Sequence, residues 1–300
     1  MSEAQSELVN ALNGVEVREG ESLCAYTGYR TGGTARAVLS PLDRESFIEC
    51  ARALSAAHES FFVLGNGSNV LAPDEGYAGY VLLTERALSE ISFDGDIVSC
   101  GAGVSLMRLC RECAERGLAG LEFAYGIPGT VGGAVFMNAG AYGGEMRQVV
   151  SSVEMLNREG EIITINGEDM LFGYRTSRVQ HEGGIVLSAS FALKSAPKEE
   201  ISAKMDELMA RRRDKQPLEY PSCGSTFKRP EGAFAGKLIE DCGLRGFKLG
   251  GAQISEKHCG FVINAGGATS ADILELIETV QKTVKEKTGY FLECEIRIMK

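Results

Sequence analysis

The segment that most constrains the fold is residues 126–144, which hold seven glycines in nineteen positions and no charged side chain. Glycine tolerates positive φ and, because it has no Cβ, lets a ligand or another chain segment approach the backbone closely. A solvated loop would carry more polar residues. The segment therefore predicts backbone packed against a flat ligand or against another backbone.

Two shorter glycine turns lie upstream. Residues 61–69 are an apolar strand followed by the small-residue turn Gly-Asn-Gly-Ser-Asn, and residues 30–34 are Arg-Thr-Gly-Gly-Thr. Successive N–H groups in such turns can form a nest for an anion, although a glycine needed only for the shape of the turn is the alternative. Together the three loops predict a dinucleotide held by main-chain amides. The Rossmann fingerprint is incomplete, because Leu106 stands where Gly101-Ala-Gly103 would need a third glycine.

Charge and composition argue against several classes of function. The chain has 41 acidic and 31 basic residues, a net charge of −10, which is unfavourable for a broad nucleic-acid-binding or polybasic membrane surface. No apolar run is long enough to span a bilayer, and the polar residues 1–6 do not resemble a signal peptide, so we expect a cytoplasmic protein. Its nine cysteines are then reduced thiols. Cys110 and Cys113 form a C-x-x-C without a second pair, so no metal site is expected.

Hydrophobic periodicity predicts a mixed chain of helices and strands without internal repeats. A composition change near residues 195–200 indicates a linker or the start of another domain. The charged helix that follows contains Arg211-Arg212-Arg213, which is either a solvated face or a contact for an anionic ligand. The predicted helices are a short one within residues 1–20 that ends at Asn13-Gly14, then Arg44–His58, Ser105–Gly117, Ile201–Lys215, Ala235–Cys242 and Ser270–Thr288. The predicted strands are Ala35–Leu39, Phe61–Leu64, Val81–Thr84, Glu90–Phe93, Ile97–Cys100, Val149–Leu156, Glu161–Asn166, Gly184–Leu193, Gly250–Ser255, Cys259–Asn264 and Tyr290–Met299.

Nine motifs, which are specific in combination, extend over nearly the whole chain. They are T-x-x-R-T-G-G at Thr27–Gly33, L-G-x-G-S-N at Leu64–Asn69, E-F-A-x-G-I-P-G-T-V-G-G-A at Glu122–Ala134, N-A-G-A-Y-G at Asn138–Gly143, G-Y-R-x-S at Gly173–Ser177, K-Q-P at Lys215–Pro217, P-S-C-G-S-x-F-K-R-P at Pro221–Pro230, G-G-A-Q-I-S-x-K-H at Gly250–His258 and E-I-R at Glu295–Arg297. On these motifs the chain resembles the UDP-N-acetylenolpyruvoylglucosamine reductases, bacterial flavoenzymes of peptidoglycan precursor synthesis.

The resemblance implies an α+β fold of the vanillyl-alcohol-oxidase/PCMH type, in which two subdomains hold FAD and a third domain covers the substrate. It places the FAD-binding subdomains at residues 1–85 and 86–195 and the substrate-binding domain at residues 196–289. Residues 290–300 are expected to return as a strand to the first subdomain. The FAD is expected to be non-covalent. Because no long insertion separates Tyr174 from Ser225, the chain resembles the shorter subtype, which lacks the extra substrate-covering loop.

The reaction is also implied by the resemblance. NADPH reduces the FAD, and hydride then passes to the enolpyruvyl group of UDP-N-acetylglucosamine enolpyruvate to give UDP-N-acetylmuramate. An enolpyruvyl ether accepts hydride poorly, so charge that develops at its carboxylate must be stabilised. Arg175 suits that role because its guanidinium is permanently charged and can bind a carboxylate through two hydrogen bonds. The resemblance places Glu295 against the substrate carboxylate and makes Ser225 the proton donor, although a serine needs a neighbour that stabilises its alkoxide or relays a proton.

Binding residues follow from the glycine loops and the resemblance together. Tyr174, Lys215, Lys228 and Lys257 are candidates for binding the substrate. We expect a monomer whose partners are this substrate and NADPH, with no nucleic acid and no membrane. The alternatives are a sugar or aldonolactone oxidase of the same flavin superfamily and a non-catalytic nucleotide-binding protein. The residues expected to bind FAD are Arg30, Gly32, Gly33, Gly65, Asn66, Gly67, Ser68, Asn69, Gly126, Pro128, Gly129, Thr130, Gly132, Gly133, Ala139 and Gly140.

Overall fold

A computed structural model describes residues 3–300; residues 1 and 2, part of the segment predicted to form the first helix, lie outside the described residues. Residues 3–300 form eight α-helices and eighteen short strands. The helices are α1 (Glu3–Asn10), α2 (Arg44–Ala56), α3 (Leu106–Glu115), α4 (Val131–Met137), α5 (Arg178–Glu182), α6 (Lys198–Lys215), α7 (Ala235–Asp241) and α8 (Ser270–Thr288). The strands are β1 (Val15–Glu19), β2 (Ala35–Pro41), β3 (Phe61–Leu64), β4 (Val70–Leu71), β5 (Tyr77–Leu83), β6 (Ile91–Asp94), β7 (Ile97–Gly101), β8 (Leu118–Ala119), β9 (Gly140–Ala141), β10 (Gly144–Glu145), β11 (Val150–Leu156), β12 (Ile162–Asn166), β13 (Ile185–Ala192), β14 (Lys194–Ser195), β15 (Lys248–Leu249), β16 (Ala252–Ile254), β17 (Val262–Asn264) and β18 (Arg297–Ile298).

The first of two compact units comprises the residues up to Glu19 together with Ala37–Asn66 and Gly79–Arg212. Its five-stranded sheet has the order β12-β11-β13-β7-β6, and each neighbouring pair is antiparallel. A four-stranded sheet has the order β1-β2-β5-β3, with β3 parallel to β5. Apolar side chains of these strands and of α2, α3 and α4 form one core, which also contains Ile201 and Met205 of α6.

The second unit comprises Gly20–Arg36, Gly67–Ala78 and Arg213–Lys300. It contains the antiparallel sheet β15-β16-β17 and the long helix α8, whose buried apolar face completes a separate core. Helix α8 begins where Thr269 accepts a hydrogen bond from Asp272 N at 3.0 Å, which satisfies one of the free N–H groups of the first turn.

The C-terminal segment differs from its prediction. Of residues 290–300, only Arg297–Ile298 form a strand, which pairs in parallel with β4, while Cys294 makes an isolated bridge to Phe227. Leu292 and Ile296 are buried, as expected for an alternating apolar pattern. The backbone pairs first with the segment of Phe227 and then with β4, so these residues form no continuous strand. Strand β1 (Val15–Glu19) was also not predicted from the sequence. Within residues 3–300, no helix combines the length and apolar character needed to cross a membrane.

Candidate active site

The turn after β3 is closed by contacts with the 126–133 loop inside the first unit. Asn66 Nδ2 donates a hydrogen bond to Pro128 O at 3.2 Å. A Cβ on Gly65 would collide with the side chain of Thr130, so glycine is required there. Thr130 is only 2% exposed and accepts a hydrogen bond from Gly133 N at 3.4 Å, which begins helix α4. These contacts join parts of two predicted glycine loops.

Gly132 and Gly133, at the end of the 126–133 segment, lie in the first turn of α4, so the predicted glycine loop is partly helical. The two glycines have different surroundings. Gly132 N donates to Ala102 O at 2.8 Å, and a Cβ on Gly132 would lie 2.8 Å from Ala102 Cβ, so backbone packing explains this glycine. At Gly133, the nearest atom to the position of a Cβ is Thr130 Oγ1 at 3.6 Å. Backbone packing thus explains the glycine at position 132 but not the glycine at position 133. The open backbone at Gly133 fits the close approach of a planar cofactor such as FAD.

The other two glycine loops contain glycines that lie in the second unit. Close packing against neighbouring chain segments requires glycine at these positions. Gly67 has a φ of 59°, and a Cβ there would collide with Tyr26 O. Gly32 has a φ of 114°, and its Cβ would lie 2.7 Å from Ala72 Cβ. Beside it, Arg30 adopts a left-handed φ of 55° although it is not a glycine. Such conformations are costly and are concentrated at functional sites.

Arg175 lies on a strained turn of the first unit. Its φ is 58°, a left-handed value that costs a side-chain-bearing residue about 1–2 kcal/mol. Its Nη2 donates to Gly140 O at 3.2 Å, and its own carbonyl oxygen accepts from Gln180 Nε2 at 3.1 Å. The guanidinium is therefore held against the loop that contains two of the predicted FAD-binding residues, Ala139 and Gly140.

Asn138 joins that loop to the turn of Arg175. It is fully buried and follows α4 with a φ of 42°. Its Nδ2 donates to Glu145 Oε2 and to Gly173 O, both at 2.9 Å, and its Oδ1 accepts from Arg147 N at 3.0 Å. Asn138 belongs to a predicted motif but was not among the predicted site residues. The signal that could have identified it is an asparagine directly after a helix, because asparagine tolerates the left-handed conformation.

Ser225 and Glu295 lie on adjacent segments of the second unit. Glu295 N donates to Thr226 O at 2.8 Å, and Lys228 N donates to Glu293 O at 2.8 Å. These two hydrogen bonds flank the isolated antiparallel bridge between Phe227 and Cys294, so the two segments pair over a short stretch. The Ser225 side chain is exposed, and that of Glu295 is half-buried. The fold thus brings together two of the three predicted catalytic residues within this unit.

Asn69 connects the Glu295 segment to the glycine turn. Its Nδ2 donates to Glu295 O at 3.2 Å, and its carbonyl oxygen accepts from Arg297 N at 2.9 Å. Cys223 Sγ donates to Val70 O at 3.3 Å, which fastens the Ser225 loop to β4, the strand that directly follows this turn. Burial raises the pKa of Cys223 to about 12, so this thiol is a structural donor and not a nucleophile at neutral pH.

The predicted substrate-binding side chains are placed at several points. Lys228 forms an ion pair with Glu293, and Lys257 Nζ donates to Arg213 O at 2.6 Å. Lys215 is exposed at the end of α6. In the first unit, Tyr174 is 51% exposed, with its ring centre 5.2 Å from the Arg175 guanidinium carbon.

The C-x-x-C cysteines are part of the first core. Cys110 and Cys113 are buried on α3, and burial raises the pKa of Cys113 to about 12. In the part of the chain that is described, no three His, Cys, Asp or Glu side chains are grouped so that they could hold a metal ion.

Comparison with known proteins shows which family the chain belongs to. Residues 35–166 match the FAD binding domain family, and residues 216–299 match the family of the UDP-N-acetylenolpyruvoylglucosamine reductase C-terminal domain. The reductase of that name from Pediococcus pentosaceus is 48% identical over 295 residues, 97% of each chain. The chain belongs to the UDP-N-acetylenolpyruvoylglucosamine reductase family. The reductase from Limosilactobacillus fermentum is 46% identical over 292 residues, again 97% of each chain.

A solved family member shares the fold of this chain. The crystal structure of the UDP-N-acetylenolpyruvylglucosamine reductase from Thermus caldophilus is 37% identical, covers 95% of this chain and 99% of its own, and gives a TM-score of 0.80. The predicted family and the α+β FAD-binding fold are confirmed. The prediction of a flavin-dependent oxidoreductase that uses FAD is confirmed with them.

Proposed function

We propose that this chain catalyses the NADPH-dependent, FAD-mediated reduction of UDP-N-acetylglucosamine enolpyruvate to UDP-N-acetylmuramate for peptidoglycan synthesis. Family membership supports the choice of substrate, because relatives of 46–48% identity carry the name of this reductase. The observation that carries the proposal is the backbone hydrogen bond from Glu295 to Thr226, which holds the Ser225 loop beside the Glu295 segment. An oxidase has no need of a proton donor and a carboxylate arranged around an enolpyruvyl group.

Each catalytic residue has a distinct role in the proposal. Bound FAD supplies the hydride chemistry. Arg175 binds the carboxylate of the enolpyruvyl group and stabilises the charge that develops there. Ser225 donates the proton to the enolate carbon, with its hydroxyl exposed beyond Gly224, whose φ is 75°. Glu295 orients the substrate carboxylate, either in its protonated form or through water, because two ionised carboxylates repel each other.

The binding residues predicted from the sequence form part of the same proposal. Those of the glycine loops bind FAD in this proposal, with main-chain amides as the expected donors. The amides of Gly132 and Gly133 already donate to Ala102 O and Thr130 Oγ1, so these two residues would contribute close approach of the backbone. Lys215, Lys228, Lys257 and Tyr174 contact the substrate, since an ammonium group pairs with a phosphate and a tyrosine can stack or donate a hydrogen bond.

The division into subdomains 1–85 and 86–195 and a substrate domain 196–289 is also proposed. The parallel pairing of β18 with β4 supports the return of residues 290–300 to the first subdomain. We further propose a cytoplasmic monomer. All nine cysteines are free thiols, which fits a reducing compartment.

The test is the visible spectrum of the purified holoprotein under anaerobic conditions. NADPH should bleach the flavin absorbance, and UDP-N-acetylglucosamine enolpyruvate should then restore it. Restoration only after air is admitted would indicate an oxidase. Protein that acquires no flavin absorbance even after incubation with FAD would refute the proposal.

A further inference from the structure

Arg212 is the buried member of the Arg211-Arg212-Arg213 run. It is 9% exposed, whereas the residues on either side of it are exposed. The helical geometry of α6 explains the difference, because successive side chains point in directions about 100° apart and only one of three faces the interior. In this run, Arg211 and Arg213 are on the solvated face of the helix. Arg212 is the candidate for contact with an anionic ligand.

The Arg212 side chain packs on the first residue of the 126–133 loop. A Cβ on Gly126 would lie 2.8 Å from Arg212 Cδ and 3.6 Å from its Nε and Nη1. Both residues belong to the first unit. The same loop continues to Gly133, where the backbone is open to a ligand. The absence of a side chain at Gly126 is thus what lets the guanidinium reach this loop.

No counter-charge compensates this guanidinium. Arg211 pairs with Glu207 at 3.6 Å, but within residues 3–300 the Arg212 side chain has neither a salt bridge nor a hydrogen bond. The titratable group near it is the phenol of Tyr142, and burial lowers the pKa of Arg212. The nitrogen atoms of this guanidinium are not among the fully buried, partnerless atoms of the described residues, so the head keeps some access to solvent while the rest of the side chain is buried. A partly desolvated charge without a carboxylate partner is costly, and an anion bound beside it would offset that cost.

We propose that Arg212 is the anion-binding residue of the cofactor site and pairs with an anionic group of bound FAD. The inference rests on the proposed function, because it requires FAD at the 126–133 loop. FAD offers two such groups. Its pyrophosphate is charged in both redox states, and its isoalloxazine ring gains negative charge only on reduction. Either group would supply the counter-charge that the protein lacks.

The test compares Arg212→Met with Arg213→Met, which removes an exposed charge from the same helix. We expect apo Arg212→Met to melt at or above the temperature of wild-type apoprotein, because a partly desolvated charge without a carboxylate partner is gone. The same variant should bind FAD at least tenfold more weakly, or its two-electron reduction potential should fall by at least about 30 mV, which corresponds to a tenfold selective loss of affinity for reduced flavin. Arg213→Met should match wild type in all three measurements.

The pattern of effects identifies the group. Weaker binding of oxidised FAD with an unchanged potential indicates the pyrophosphate, and a lower potential indicates the isoalloxazine ring. Arg212→Lys keeps the charge and should retain FAD binding and potential near wild type, which provides a folded comparison if the Met variant does not fold. Wild-type protein that binds no FAD would refute the proposed function. Wild-type protein that binds FAD, with Arg212→Met or Arg212→Ala equal to it in affinity and potential, would refute this inference alone.

Discussion

The backbone N–H of Glu295 donates a 2.8 Å hydrogen bond to the carbonyl oxygen of Thr226, the residue that follows Ser225. Two residues far apart in the sequence are thereby held on neighbouring segments. Asn69 Nδ2 donates a 3.2 Å hydrogen bond to the carbonyl oxygen of Glu295 itself, so the backbone of Glu295 links the proton-donor loop to the glycine turn.

Ser225→Ala should separate the two half-reactions. NADPH should still reduce the flavin, but reoxidation by the enolpyruvyl substrate should slow by about 10²–10⁴-fold, the usual contribution of a positioned proton donor. Stopped-flow absorbance measures both steps, and Ser222→Ala in the same loop is the matched control. Equal slowing of both half-reactions would contradict the assignment of Ser225 as proton donor.

Gly132→Ala should lower the stability of the apoprotein, whereas Gly133→Ala should lower only its affinity for FAD. The new methyl group at position 132 would lie 2.8 Å from Ala102 Cβ, so overpacking should destabilise the apoprotein by about 1–3 kcal/mol. Position 133 has room, and alanine favours helix α4 by up to about 1 kcal/mol, so the apoprotein should be as stable as wild type. FAD affinity should nevertheless fall in Gly133→Ala. Urea unfolding and FAD titration test this pair, and undiminished FAD binding by Gly133→Ala would show that no cofactor approaches there.

Asn138→Ala should destabilise the protein by about 3 kcal/mol, because a fully buried side chain loses three hydrogen bonds, each worth about 1 kcal/mol. Asn138→Gly loses the same bonds but accepts the φ of 42° without strain. It should therefore be more stable than Asn138→Ala by about 1 kcal/mol. Urea unfolding midpoints of the two variants give the comparison. The reverse order would mean that backbone strain at this position is unimportant.

Asp272→Asn should lower stability in a pH-dependent way. Hydrogen bonds from the backbone of Gly251 and Thr269 lower the pKa of Asp272 below its usual value. A carboxylate with a lowered folded-state pKa contributes stability above its unfolded pKa of about 3.9, and that contribution is lost as the pH falls through the folded value. The difference in Tm between variant and wild type should thus be largest near pH 7 and shrink below pH 4. Glu278→Gln, on an exposed face of the same helix, is the control. A difference that does not change with pH would exclude the carboxylate as its source.

Local sequence signals predicted several elements closely. Both ends of α8 were predicted correctly at Ser270–Thr288, because Thr269, Asp272 and Gly289 are all short-range capping signals. Strand β1 was missed, since its pairing with β2 depends on a partner about twenty residues away in the chain, and its own pattern of burial is weak. The C-terminal strand was predicted too long, because alternating apolar residues report burial and not the continuity of backbone pairing.

The amino-acid sequence by itself identified the family through its motifs, and that resemblance implied the fold class and the use of FAD, because the residues of each motif lie close together in the chain. Only the tertiary structure decided which of Gly132 and Gly133 is packed, which of three consecutive arginines is buried, and that Asn138 holds the turn of Arg175. Identical or adjacent residues receive different surroundings from segments distant in sequence. A local sequence pattern does not predict these surroundings. They determine the free-energy cost of a charge, a Cβ or an unpaired carbonyl at each position.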